Sequence, residues 1–112
     1  MRGRCHCGAV EFEVAAAPEW VGSCNCSICR RTGGLFAYYH PRDVAMLSAP
    51  GASQAYVWGD RCIALHHCRT CGCTTHWENL MPDGERMGVN ARMIEELDLA
   101  AVPVKPIDGA SY

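Results

Sequence analysis

Nine cysteines in 112 residues, most of them tightly clustered, constrain this chain more than any other feature. They stand as Cys5-x-Cys7, Cys24-x-Cys26-x-x-Cys29 and Cys68-x-x-Cys71, with Cys73 two residues on and Cys62 apart. Cysteine at this density serves either a disulfide framework in a secreted mini-protein or metal binding in a reducing compartment. The count is odd, so disulfides would leave a thiol over. Cysteines one or two residues apart seldom bridge each other without strain. Four thiolates about 2.3 Å from a tetrahedral zinc, in contrast, lie only a few ångströms apart, a gap that a short turn spans. The N-terminus, Met1-Arg2-Gly3-Arg4, carries no apolar signal-peptide core. Zinc is therefore the expected ligand and the cytoplasm the expected compartment.

The length predicts one domain over residues 1–112. Ten Lys plus Arg against 12 Asp plus Glu give a formal charge of −2, which supplies neither the basic stripe of a nucleic-acid binder nor a polybasic membrane anchor. No apolar run approaches the roughly 18 residues of a membrane helix. Only 2 Phe and 3 Trp furnish large apolar volume, so the core is modest. A structural zinc, with binding free energy on the order of 10 kcal/mol linked to folding, would make up the difference.

Ala-Val-Glu-Phe-Glu-Val over residues 9–14 alternates with period two and predicts a half-buried strand, with Val10, Phe12 and Val14 inward. Residues 24–34 read as a cysteine-bearing loop closed by Gly33-Gly34. Leu35 to His40 predicts a second strand, stopped by Pro41, and a turn runs from there to Gly51. Gln54–Trp58 and Cys62–Cys68 predict a hairpin around Gly59-Asp60. Cys73–Glu78 is Thr-rich and aromatic, and Glu85–Met93 follows the Pro82-Asp83-Gly84 turn as its partner. Residues 94–101 suit a short helix or turn, and the proline-bearing tail is extended. Short β segments with little helix predict an all-β fold.

The spacing divides the cysteines into two sites. Cys5-x-Cys7-Gly8 and Cys68-x-x-Cys71-Gly72, two pairs about 60 residues apart, make one closed four-thiolate structural site. A metal knuckle turns backbone N–H groups toward sulfur, and the glycines accept the positive φ this needs. Cys24, Cys26 and Cys29 offer three thiolates from one loop, the signature of a catalytic zinc with an open fourth position. A fourth protein ligand from Cys62, Cys73, His40, His66, His67 or His76 would close it instead. Cys62 and Cys73 read as small buried thiols, with Cys73 a rival to Cys71 as a ligand. His66 and His67 read as structural, and His6 as solvent-facing. Arg30-Arg31 is either a solvated turn or a charge partner for the tris-thiolate site or an anionic ligand, with Arg30 the candidate substrate contact.

The order Cys5-x-Cys7-Gly8-x-Val10-x-Phe12, Cys24-Asn25-Cys26-x-x-Cys29-Arg30-x-x-x-Gly34 and Cys68-x-x-Cys71-Gly72 resembles the glutathione-dependent formaldehyde-activating family, which shares its domain with centromere protein V. Val89-Asn90-x-Arg92 and Ile107-Asp108-Gly109 fit more weakly. The likeness runs over about residues 3–109. It implies a β-tent fold of small antiparallel sheets around two zinc ions. Cys5, Cys7, Cys68 and Cys71 would hold the structural ion and Cys24, Cys26 and Cys29 the catalytic one. It further implies a carbon–sulfur lyase that joins a small thiol such as glutathione to formaldehyde or a related small carbonyl compound, giving S-(hydroxymethyl)glutathione. The sequence departs from the family pattern at His67, where an aromatic is usual, and in carrying Cys62 and Cys73. Two other readings of the same residues are a non-catalytic zinc domain that binds a thiol ligand or a partner protein, and a thiol redox sensor.

Overall fold

Two short antiparallel strands open the chain, β1 (Arg2–Arg4) and β2 (Glu11–Val14). The computed structural model describes residues 1–111; Tyr112, the last residue of the expected domain, lies outside them. The expected alternation is present, because Val10, Phe12 and Val14 are buried while Glu13 is exposed. The chain continues through β3 (Val21–Cys24), a one-turn helix α1 (Cys29–Thr32), β4 (Phe36–Tyr39) and β5 (Val44–Met46). It then runs through β6 (Ser53–Val57), β7 (Ile63–Cys68), β8 (Thr74–Asn79), β9 (Met87–Asn90) and β10 (Val104–Ile107). The fold is all-β, as expected.

The strands form a three-stranded sheet in the order β1-β2-β5 and a seven-stranded sheet in the order β10-β3-β4-β9-β8-β7-β6. The hairpin expected around Gly59-Asp60 joins β6 to β7. The expected strand over residues 85–93 is shorter, because Asn90 ends it. Its side-chain oxygen accepts the Arg92 N–H at 3.2 Å and caps a 3-10 turn over Ala91–Met93. Residues 94–101 are turns. Three elements depart from expectation. The stretch before the cysteine loop is strand β3, the turn after Pro41 contains β5, and the extended tail is β10, which lies parallel to β3 with Val104 opposite Val21.

The core lies where β2 covers one face of the large sheet. Phe12 and Val14 pack with Val21 of β3, Ala37 of β4 and Val89 of β9, and Ile94 closes the group. Side chains alternate across a strand, so Phe36 and Tyr38 of β4 face away from this core, toward the second face of the sheet. The functional cavity forms there.

Gly3 shows how tightly the core is filled. It sits opposite Phe12, and a Cβ at Gly3 would run into that ring, with Cε1 at 2.6 Å. Phe12 is fully buried and has nowhere to move. Gly3→Ala is expected to lower unfolding stability by about 1–3 kcal/mol, the usual cost of overpacking. Urea denaturation of the metal-loaded protein measures this, and an unchanged midpoint would contradict the packing described.

Candidate metal centres and their cavity

Cys5 and Cys7 precede β2, Cys68 ends β7, and Cys71 follows in the turn before β8. The fold brings all four sulfurs within 4.8 Å of one another. Cys5 Sγ lies 3.7 Å from Cys7 Sγ, which lies 3.6 Å from Cys68 Sγ across 61 residues of chain. A tetrahedron with sulfur about 2.3 Å from its centre has edges of about 3.8 Å, so the donor set fits a zinc-sized ion. A disulfide would need sulfurs about 2.05 Å apart, and all nine cysteines are free. Gly8 and Gly72 adopt φ of +83° and +80°, as the knuckle reading requires. The N–H of Val10 donates to Cys5 Sγ at 3.3 Å, and those of Thr70 and Cys71 donate to Cys68 Sγ at 3.4 and 3.5 Å.

These donors favour thiolates. The backbone N–H groups of Cys73 and Cys7 hold the Cys71 thiol well below its ordinary range. Cys7 moves up instead: the backbone bond from Ala9 lowers it, but burial and the thiols of Cys68 and Cys5 outweigh that bond. Negative charge is thus shared unevenly among crowded sulfurs, an arrangement that a cation relieves.

The second group comprises Cys24, Cys26 and Cys29, again within 4.8 Å of one another. Cys24 ends β3, Cys26 lies in the turn and Cys29 opens α1. The same knuckle recurs, because the Cys29 N–H meets Cys26 Sγ at 3.5 Å and the Cys26 N–H meets Cys24 Sγ at 3.4 Å. Burial raises the Cys26 thiol, yet the Cys29 N–H and its thiol neighbours bring it down overall. Burial, then Cys26, push Cys29 up. Among the described residues no fourth His, Cys, Asp or Glu joins this trio.

The candidates for a fourth ligand are engaged elsewhere or distant. His40 accepts the Arg42 N–H at 3.1 Å. His66 stacks on His76 with ring centroids 4.3 Å apart, and bonds Ser53 Oγ at 2.8 Å and Glu78 at 2.7 Å. Burial and His66 hold His76 down at about 4, so it is neutral at pH 7. His67 adjoins a bulge in β7, and His6 is exposed. Cys62 and Cys73 are half-buried rather than buried. Cys62 sits at the turn end of the β6–β7 hairpin, where the Asp60 carboxylate pushes its thiol up, and Cys73 packs against the rim of the core.

The C-terminal segment locks the trio in place. Asn25 donates its backbone N–H to Ile107 O at 3.0 Å and its side-chain amide to Asp108 at 2.9 Å. It accepts the Ala110 N–H at 2.9 Å. Gly109 then lies directly on the cluster, because a Cβ there would meet Cys24 Sγ and come 3.1 Å from Cys26 Cβ. Ile107-Asp108-Gly109 is therefore the lid of this site, joined to it by the parallel β3–β10 pairing.

The trio opens onto a cavity of about 380 Å³. Its floor is a row across the sheet in which Tyr38 stands opposite Gly88, Gly88 opposite Trp77 and Trp77 opposite Leu65. Gly88 leaves the Trp77 indole room to lie over the backbone, where a Cβ would strike it. Tyr38 meets Trp77 edge-on with centroids 6.2 Å apart. Its hydroxyl occupies the place of a side chain at Gly22, on the β3 face from which Cys24 also projects. Burial, then charge on Cys24 and Cys29, push this hydroxyl up to about 12, so it keeps its proton.

Arg30 is exposed on α1 and does not line the cavity. Arg31 donates to Ser27 O at 2.7 Å. The cation at the cavity is Arg86, whose guanidinium lies 5.4 Å from the Tyr38 ring centroid. Sequence reasoning missed Arg86, Tyr38 and Trp77. The available signal was glycine inside strands, at Gly22 and Gly88, which marks close approach of another group.

The family model described as the glutathione-dependent formaldehyde-activating enzyme matches residues 1–107. The chain belongs to that family. A Halomonas elongata protein whose name assigns it to the same formaldehyde-activating family is 35 % identical over 80 residues, 63 % of this chain. The match takes in 51 % of that relative, so the chain spans about half the length of the curated relative it matches. A crystal structure of a Rhodobacter sphaeroides protein is similar to this formaldehyde-activating family member across 94 % of this chain and 100 % of its own. The TM-score is 0.79 and the identity 33 %. No described helix is long and apolar enough to cross a membrane.

Proposed function

We propose that the chain is one zinc-dependent domain with two ions, and that it forms or breaks a carbon–sulfur bond between a small thiol such as glutathione and formaldehyde or a related small carbonyl compound. The observation that carries this reading is the contrast between the two thiol groups. One has four sulfurs. The other has three, without a fourth ligand among the described residues, and it faces a cavity. Cys5, Cys7, Cys68 and Cys71 would hold the structural ion, and Cys24, Cys26 and Cys29 the one at the cavity. Zinc there would lower the pKa of a thiol so that it is deprotonated at neutral pH.

The chain's own groups supply the rest. Three thiolates make the site anionic, which keeps an added sulfur nucleophilic. The apolar floor excludes water from the reacting atoms. The protonated Tyr38 hydroxyl offers a donor to the carbonyl oxygen as charge develops on it. In the forward direction the sulfur–carbon bond forms as the carbonyl π bond opens, and the proton lost by the thiol ends on the new hydroxyl. The reverse step releases both partners.

Cobalt-substituted protein tests the reading. Glutathione is expected to shift its visible spectrum, and the protein to speed equilibration of glutathione with formaldehyde above the uncatalysed rate. Cys26→Ser is expected to abolish both effects. An unchanged spectrum at millimolar glutathione and at millimolar 3-mercaptopropanoate, with no change in rate for either thiol, would turn the assignment to a non-catalytic zinc domain.

A further inference from the structure

The charge and shape of the cavity bear on which thiol it takes. A ligand that reaches Cys24, Cys26 and Cys29 lies against Trp58, Ile63, Leu65 and Trp77. Arg86 is the one cationic side chain in the lining, and no carboxylate lines it among the described residues. Both indoles are fixed before any ligand arrives. Trp58 stacks on Tyr56 with centroids 5.3 Å apart and planes 12° apart, and Trp77 is held between Tyr38 and Gly88. Preformed aromatic walls favour a flat apolar group without the entropic loss of ordering side chains.

Glutathione matches this lining poorly. At pH 7 it carries two carboxylates and one ammonium, whereas the cavity offers a single cation. A second charge drawn inside would be desolvated without a partner. Beyond Arg86 lies an open groove whose lining includes Glu19 and Glu85, and these repel a second carboxylate.

We propose that this cavity selects a thiol with an apolar, ring-bearing body and one carboxylate, its sulfur at the Cys24–Cys26–Cys29 trio, its ring between Trp58 and Trp77, and its carboxylate on Arg86. The proposal rests on the thiol-binding reading of that trio and narrows it from a small thiol in general to an aromatic monoanion. Arg86 then acts as a specificity-determining residue. It is exposed at the mouth and bears on affinity for the acid, not on the chemistry at sulfur.

Calorimetric titration of the zinc-loaded protein tests it with 2-benzyl-3-mercaptopropanoate, its methyl ester, its S-methyl thioether, 3-mercaptopropanoate and glutathione. The benzyl thiol acid is expected to bind at least about tenfold more tightly than glutathione, the gain from burying one ring. Its ester should bind about three- to tenfold more weakly than the acid, and Arg86→Gln should erase that difference while leaving ester affinity and zinc content unchanged. Trp58→Ala should weaken the benzyl thiol about tenfold and leave 3-mercaptopropanoate, which has no ring, where it was. Glutathione binding as tightly as the benzyl thiol, the ester binding as tightly as the acid, or Arg86→Gln weakening acid and ester alike, would overturn the proposal; the first two comparisons need only the wild-type protein. The thioether separates this proposal from the reading beneath it. If the thioether binds as well as the thiol, sulfur does not engage the trio and the thiol-site reading fails, although ring and carboxylate are still selected.

Discussion

Cys68→Ser is expected to leave the chain unfolded or insoluble. Cys68 is fully buried at the end of β7, and its sulfur accepts two backbone N–H groups while touching Cys7 from the far end of the chain. The four-sulfur group is the clasp between the N-terminal hairpin and the β7–β8 ribbon. Cys5 and Cys68 are themselves members of the hydrophobic core. With zinc held by this group, removing one ligand would forfeit much of a metal-binding free energy on the order of 10 kcal/mol. Whole domains are stable by only about 5–15 kcal/mol, so little folded protein should survive. Serine has a poorer donor for zinc and adds a buried hydroxyl beside polar N–H groups arranged for sulfur. Far-UV circular dichroism and thermal melting check the outcome. A folded Cys68→Ser protein with the wild-type midpoint would refute the four-cysteine clasp. Stripping metal from the wild-type protein with a strong chelator should produce the same collapse.

The sequence made the sulfur sites legible and the cavity obscure, for a physical reason. Knuckle geometry is local: a cysteine, one or two spacers and a glycine at positive φ determine where N–H groups point, so Gly8 and Gly72 could be read from their neighbours. The alternation in β2 was legible for the same reason, and the β6–β7 hairpin followed from its turn. Strands β1, β3, β5 and β10 are short and, unlike residues 9–14, carry no apolar–acidic alternation through which a period could register. The pairing of β10 with β3 joins Val104 to Val21, and no local pattern encodes so distant a parallel partner. The cavity floor depends on register across four strands. Tyr38, Gly88, Trp77 and Leu65 align only once every hairpin is in place. Arg86 likewise reaches the cavity through tertiary structure, whereas Arg30 is merely near the cysteines in sequence. His66 and His67 read as structural and His76 only as a candidate fourth ligand; the stacking of His66 on His76 required the β7–β8 register.

Cys29→Ser should have the opposite outcome to Cys68→Ser, with the fold kept and one metal lost. Cys24, Cys26 and Cys29 lie within a six-residue stretch, so a metal held there would close only a short loop and constrain the unfolded chain little. The loop has anchors of its own. Asn25 ties it to Ile107, Asp108 and Ala110, and Gly33 ends α1 in the left-handed conformation with its N–H on Cys29 O at 2.9 Å. All three sulfurs are only partly buried, so a serine hydroxyl can reach water and no buried donor is stranded. Metal analysis is expected to fall from two equivalents per chain to one, while circular dichroism and the core melting transition stay close to wild type. Carbon–sulfur bond formation should drop to the uncatalysed rate, because a thiol then has no cation to bind beside the Trp77 floor. Cys24→Ser should behave in the same way, with added loosening of the Gly109 lid that rests on that sulfur. If either variant still holds two equivalents, the three-cysteine site is wrong; if either unfolds as Cys68→Ser does, the loop metal is structural and the division of labour between the two centres fails.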